Sequence, residues 1–165
     1  MKTILSILLL CLSFTGFSFD VGDIATCVLL EQVEGGNLTD GCVTDKEDED
    51  HDFVLVEFFS TTCAPCNKNL PIISKLSTEI SDTTTVRLVA TDRSVKKVNA
   101  YIKKKGKLIK FPVSFDNQRF ASKEFGVRTV PTTFLLDKDN KVIFKHSGVF
   151  TEANLDKIKE LTDNI

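Results

Sequence analysis

The chain has 165 residues, 42% hydrophobic and 27% charged, with a formal net charge of −2. Its length suits one domain that needs neither metal nor disulfide merely to fold, and its charge excludes the broad basic field of a nucleic-acid binder. Thirteen Phe, one Tyr and no Trp make the aromatic content almost purely apolar.

The first 18 residues read as a secretory signal peptide. Lys2 is a short positive region, Ile4 to Leu12 is apolar, and Gly16 and Ser18 supply small residues for cleavage after Ser18. The apolar run is short for a membrane span; a retained anchor is the alternative. Leu8-Leu9-Leu10 lacks the small residues that a lipidated Cys11 requires. The expected organisation is therefore a signal over 1–18 and one folded domain over 19–165. Loss of Cys11 leaves four cysteines, an even number, in a compartment that permits disulfides.

Asp20 to Gly41 reads as a β-hairpin, with Thr26 to Val33 and Leu38 to Val43 as strands around Gly35-Gly36-Asn37. The charged run Asp45 to Asp52 is a solvated loop, and its spacing matches no EF-hand calcium loop. Phe53 to Phe59 is apolar except for Glu57, which suits a central strand buried on both faces. A helix follows to about Ile80, with Leu70, Ile73, Leu76 and Ile80 at helical spacing. Val86 to Ala90 reads as a strand and Arg93 to Lys105 as a surface helix. Phe111 to Phe115 reads as extended and Arg119 to Phe125 as a short helix. Val130 to Leu136 and Lys141 to His146 read as strands, and Thr151 to Thr162 as a closing helix capped by Thr151. This order predicts an α/β fold: a mixed sheet flanked by helices, with the hairpin as an N-terminal extension.

Cys63-Ala64-Pro65-Cys66 carries the chemistry. A helix start leaves unpaired N–H groups and a positive dipole end facing the first sulfur, which favours its reactive thiolate. Pro65 suits the first helical turn. Cys63 is expected at the helix start, exposed, and Cys66 one turn inside, shielded and placed to resolve a mixed disulfide on Cys63. A zinc half-site is the alternative, but Cys27 and Cys42 lie fifteen apart and form no second Cys-x-x-Cys knuckle. A peroxiredoxin centre needs Pro-x-x-x-Thr-x-x-Cys, and Val56 occupies the proline position.

Phe53-Val-Leu-Val-Glu-Phe-Phe-Ser-Thr-Thr-Cys-Ala-Pro-Cys resembles the active-site strand and turn of thioredoxins, and more closely the exported TlpA/ResA-like branch. Pro71, Phe111-Pro-Val-Ser-Phe-Asp, Phe125-Gly-Val-Arg-Thr-Val-Pro-Thr-Thr-Phe-Leu-Leu-Asp, Lys141-Val-Ile-Phe-Lys-His-Ser-Gly and Val21-Gly-Asp extend the resemblance over roughly 20 to 162. It implies a thioredoxin-like fold and an exported, periplasmic thiol–disulfide oxidoreductase without cofactor or resident metal. The implied direction is reduction, as in cytochrome c maturation. Implied partners are protein disulfides or thiols and an upstream membrane electron donor, not nucleic acid, with the chain a monomer.

The resemblance further implies a cis peptide between Val130 and Pro131 facing Cys63, where the Val130 backbone pairs with substrate beside Ala64 and Pro65. From spacing alone a trans proline starting an edge strand is equally compatible. Glu57 stands where thioredoxins carry a buried acid, implying a raised pKa and proton exchange with Cys66; an edge-exposed Glu is the alternative. Thr62 departs from the Trp that many family members carry before the first cysteine.

Cys27 and Cys42 flank the Gly35-Gly36 turn and suit a structural cross-strand disulfide. A second redox pair feeding Cys63 and a pair of buried thiols are the alternatives. The lysines from Lys96 to Lys110 form a solvated helix face, or a docking surface for an acidic partner or anionic lipid. A copper-binding chaperone using Cys63, Cys66 and His51 or His146 is the rival function.

Overall fold

A computed structural model describes residues 19–34, 37–45 and 51–163. The expected signal segment, the Gly35-Gly36 turn and most of the acidic run lie outside the described residues. Among those described, the order is β1 (Leu29–Glu34), β2 (Asn37–Cys42), β3 (Phe53–Phe59), α1 (Ala64–Glu79), β4 (Thr84–Ala90), α2 (Val95–Lys105), β5 (Val113–Phe115), α3 (Phe120–Glu124), β6 (Thr132–Leu136), β7 (Val142–Ser147) and α4 (Glu152–Asp163). The strands make one sheet in the order β2-β1-β5-β4-β3-β6-β7. β3, β4 and β5 run parallel, while β6, β7, β1 and β2 are antiparallel to their neighbours.

β3 lies between β4 and β6, and all seven of its residues are buried, as a run without polar alternation requires. Alternation sends its side chains to opposite faces. Phe53, Leu55 and Phe59 join Leu70, Ile73 and Leu76 of α1, Val98 and Tyr101 of α2, and Ile158 of α4. Val54, Val56 and Phe58 join Ala121 of α3, Phe125, and Phe19 and Ala25 from the N-terminal segment. Phe125 lies 5.3 Å from both Phe58 and Phe134 by ring centroid, and Phe19 lies 5.2 Å from Phe125.

The fold is the thioredoxin-like α/β arrangement that the resemblance implies, and the N-terminal hairpin extends its sheet. β1 pairs with β5 through Glu31–Phe115 and Gln32–Ser114, so the sheet continues into it. β5 has only three residues, and its antiparallel partner supplies hydrogen bonds that a short edge would lack. The Gln32 side chain lies across Gly41: a Cβ there would stand 1.8 Å from Gln32 Nε2, so a larger residue would make that flexible side chain move.

Ends of elements shift by a few residues for local reasons. α2 begins at Val95 and not Arg93, because Ser94 is still extended. Thr151 precedes α4; its Oγ1 accepts the Asn154 N–H at 3.4 Å while Asn154 Oδ1 accepts the Thr151 N–H at 2.9 Å, a reciprocal cap. Lys103, Lys104 and Lys105 occupy the last turn of α2, where cations complement the helix dipole. No helix among the described residues is long and apolar enough to cross a membrane.

Candidate active site

β3 ends at Phe59, and Ser60 to Thr62 turn the chain into α1. That turn is gripped from the loop after β4: Asp92 accepts the Thr61 N–H at 2.9 Å and the Thr61 hydroxyl at 2.7 Å, with Ser60 Oγ at 3.3 Å. Cys63 is the N-cap of α1, with Ala64 and Pro65 opening the first turn. Pro65 loses nothing there, since first-turn N–H groups have no helical acceptor. The Cys66 N–H donates to Cys63 Sγ at 3.1 Å, so the sulfur takes the place of a capping oxygen.

Cys63 and Cys66 form a disulfide, with Cα atoms 5.2 Å apart. Cys66 is 2% exposed and packs with Leu70, Val98 and Tyr101. Cys63 is half-buried and not fully exposed as expected, because Val130 leans against the same cluster. The Val130–Pro131 peptide is cis. The Val130 carbonyl lies 3.6 Å from Cys63 Sγ, and Ala64 and Pro65 are exposed.

Glu57 is 2% exposed on a central strand, so the edge-exposed alternative does not hold. Burial pushes its carboxyl from 4.5 up to about 8, against the opposing hydrogen bonds from Thr133 and Asn69. Thr133 Oγ1 donates at 3.0 Å and Asn69 Nδ2 at 3.1 Å, both to Oε2.

Sequence reasoning missed Asn69. It is fully buried on α1, one turn beyond Cys66, and also donates to Gly148 O at 3.2 Å and accepts the Phe150 N–H at 2.9 Å. One signal was present: Asn69 interrupts the apolar stripe of α1, and a buried amide needs partners. Asp92 was missed too, since nothing local marks a carboxylate that serves a turn thirty-one residues away.

Cys27 and Cys42 form a disulfide, with Cα atoms 5.4 Å apart. Cys27 lies two residues before β1, so the bond joins the approach to the hairpin with its last paired residue. The four cysteines among the described residues thus pair as Cys27–Cys42 and Cys63–Cys66. His146 Nε2 contacts Val149 O at 3.2 Å and its ring stacks on Phe150, while His51 Nδ1 meets Thr85 Oγ1 at 2.8 Å. Among the described residues no three His, Cys, Asp or Glu side chains converge as a metal site, so neither histidine joins Cys63 and Cys66.

Comparison with known proteins follows the same line. The thiol-disulfide oxidoreductase ResA of Bacillus thuringiensis subsp. konkukian is 33% identical over 110 residues, covering 66% of this chain and 63% of its own. The thioredoxin-like protein YneN of Bacillus subtilis is 27% identical over 111 residues, covering 66% and 64%. The chain thus spans less than two thirds of the length of these relatives. StoA from Bacillus subtilis superposes with a TM-score of 0.65 at 24% identity, covering 84% of this chain and 98% of that one. The thioredoxin domain of a thiol-disulfide oxidoreductase from Bacteroides vulgatus gives 0.71 at 18% identity, covering 88% and 99%. These structures share the fold. Residues 31–161 match the Redoxin family, and the chain belongs to it.

Proposed function

We propose that this chain is a thiol–disulfide oxidoreductase acting on protein substrates outside the cytoplasm through Cys63 and Cys66. The observation that carries the reading is the asymmetry of the pair: Cys63 Sγ receives a helix N–H at 3.1 Å, while Cys66 is buried behind it. Such a sulfur is stabilised as thiolate and reachable, and its partner is protected from other oxidants.

In the reducing direction the Cys63 thiolate attacks a substrate disulfide. One substrate sulfur bonds to Cys63 and the other leaves as a thiolate. Cys66 then loses its proton, attacks Cys63 Sγ and releases the second substrate thiolate, closing the Cys63–Cys66 bond. The substrate gains two electrons and the chain loses two. Glu57 serves as proton acceptor for Cys66, and as donor in the reverse reaction, since a carboxyl near 8 populates both forms close to neutrality. The Val130 backbone beside Pro131, with Ala64 and Pro65, forms the edge on which an extended substrate segment lies.

The reading includes cleavage after Ser18, a monomeric mature chain, and recharging by a membrane-bound electron donor. Burial of Phe19 against Phe125 and Phe134 supports a domain that starts there. The direction is reduction, toward apocytochrome c or another envelope protein. The test is a Cys66→Ala trap, which should hold a substrate on Cys63 as a mixed disulfide; insulin reduction by the wild-type chain is the accompanying assay. No adduct and no insulin reduction would overturn the reading.

A further inference from the structure

Residues 93–115 hold eight of the chain's 21 Lys and Arg and none of its 23 Asp and Glu. Asp92 and Asp116 border this stretch, but both are buried and occupied, Asp92 by Ser60 and Thr61 and Asp116 by Ala121 and Ser122. The whole chain carries a net charge of −2, so the remainder of it is acidic.

α2 gathers half of these cations on one surface. Its inner face is Val98 and Tyr101, buried against Cys66. Lys96, Lys97, Lys103 and Lys104 are exposed on the opposite side, around the exposed Ala100. Lys96 lies seven residues from Lys103, and Lys97 seven from Lys104, two helical turns in each case. The four therefore stand in two rows along the outward face.

The first-turn lysines do nothing for the helix. Lys96 and Lys97 stand at the positive end of its dipole, with no acid in that turn and no side-chain cap from Ser94. A face that is merely solvated mixes its signs, as on α1 and α4, where Lys75 and Lys159 share Glu79 and Lys157 pairs with Glu160. Among the described residues no α2 lysine has an ion pair.

The face is fixed beside the dithiol. Tyr101 donates to Asn67, the residue after Cys66, at 3.1 Å, and Asp92, three residues before α2, holds the turn that presents Cys63. No large apolar side chain is exposed on α2, and its apolar face lies in the core, so it lacks what an interfacial helix inserts into lipid.

We propose that the outward face of α2 docks acidic protein substrates and brings their disulfides to Cys63. This rests on the reading of Cys63–Cys66 as the exchange centre and names the class of protein that the centre serves. The acidic remainder of the chain repels such a substrate while α2 attracts it, so encounter is oriented toward the side that carries the dithiol.

The test uses the full chain and peptides that hold one disulfide loop flanked by a run of Glu, of Gln or of Lys. At low ionic strength the reduced chain should act on the Glu peptide about tenfold better, by kcat/KM, than on the Lys peptide, with Gln between. The rates should converge near about 1 M salt, where the screening length is about 3 Å. Lys96→Gln, Lys97→Gln, Lys103→Gln and Lys104→Gln together should erase the order. Lys75→Gln, Lys123→Gln, Lys138→Gln and Lys157→Gln together, an equal loss of charge elsewhere, should keep it. A labelled Glu run without cysteines should bind the Cys63→Ser, Cys66→Ser chain and lose that binding when the four α2 lysines are also changed. No reduction of any peptide, with the Glu run still bound, would overturn the exchange reading and leave the docking in place. Equal rates for the three peptides, or an order that survives in the α2 variant, would overturn the docking face. Binding to phosphatidylserine vesicles, or a salt-sensitive dimer, that needs the four lysines while the Glu run fails to bind would give the face to a lipid surface or to a second copy, and would overturn the proposal.

Discussion

Asn69 joins Glu57 to the loop before α4: Nδ2 donates to Glu57 Oε2 at 3.1 Å and Oδ1 accepts the Phe150 N–H at 2.9 Å. The amide lowers the carboxyl's pKa while burial raises it. Asn69→Leu should therefore move the Glu57 titration further up and strand the Phe150 N–H, at a cost of about 1–3 kcal/mol. Urea denaturation reads the stability and a rate–pH profile reads the titration. An unchanged profile would return Asn69 to a purely structural part.

Glu57→Gln should stabilise the fold in a pH-dependent way. The folded carboxyl holds its proton up to about 8, while the unfolded one releases it near 4.5. Between those values the native state binds more protons, so wild-type stability falls as pH rises through the window. The full effect is on the order of 5 kcal/mol at its upper bound. Denaturation at pH 5 and pH 9 should show the variant's advantage growing with pH. Exchange near neutrality should slow, mainly at the step involving Cys66.

The two active-site cysteines should separate cleanly by alkylation. Cys66→Ser leaves Cys63 under the helix N-terminus, and iodoacetamide should modify it in mildly acid solution, where an ordinary thiol of pKa about 8.5 is protonated. Cys63→Ser leaves only the buried sulfur, which should react roughly tenfold more slowly or less and support no turnover. Equal rates in the two variants would count against the assigned roles.

Asp92→Ala removes the acceptor for the Thr61 N–H and hydroxyl. The turn that presents Cys63 should loosen, with a loss of about 1–3 kcal/mol and a slower first attack. Single-turnover kinetics separate this from the Glu57 effect, which falls on the second step.

The buried strand from Phe53 to Phe59 and the Cys-x-x-Cys turn were legible because each is local: an unbroken apolar run, and two cysteines one helical turn apart. What escaped depends on distant chain. Asn69 and Asp92 matter through Glu57 and Thr61, which only the assembled sheet brings near. The half-burial of Cys63 comes from Val130, sixty-seven residues away. The pairing of β1 with β5 escaped because edge-to-edge contact of two short strands leaves no periodic trace, and a hairpin reads the same whether it stands alone or extends a sheet.

Tyr101 is the chain's single tyrosine, and there is no tryptophan. Its hydroxyl donates to Asn67 Oδ1 at 3.1 Å, and Asn67 Nδ2 donates to the Cys63 carbonyl at 3.0 Å. Its ring packs 5.6 Å from Phe59, and burial, then the Glu57 and Asp92 carboxylates, raise its phenol pKa. Nearly all intrinsic ultraviolet emission of the protein therefore originates two hydrogen bonds from the backbone carbonyl of Cys63. Opening and closing of the Cys63–Cys66 bond can be followed by tyrosine fluorescence in a stopped-flow cell, with no label and no competing signal from elsewhere in the chain.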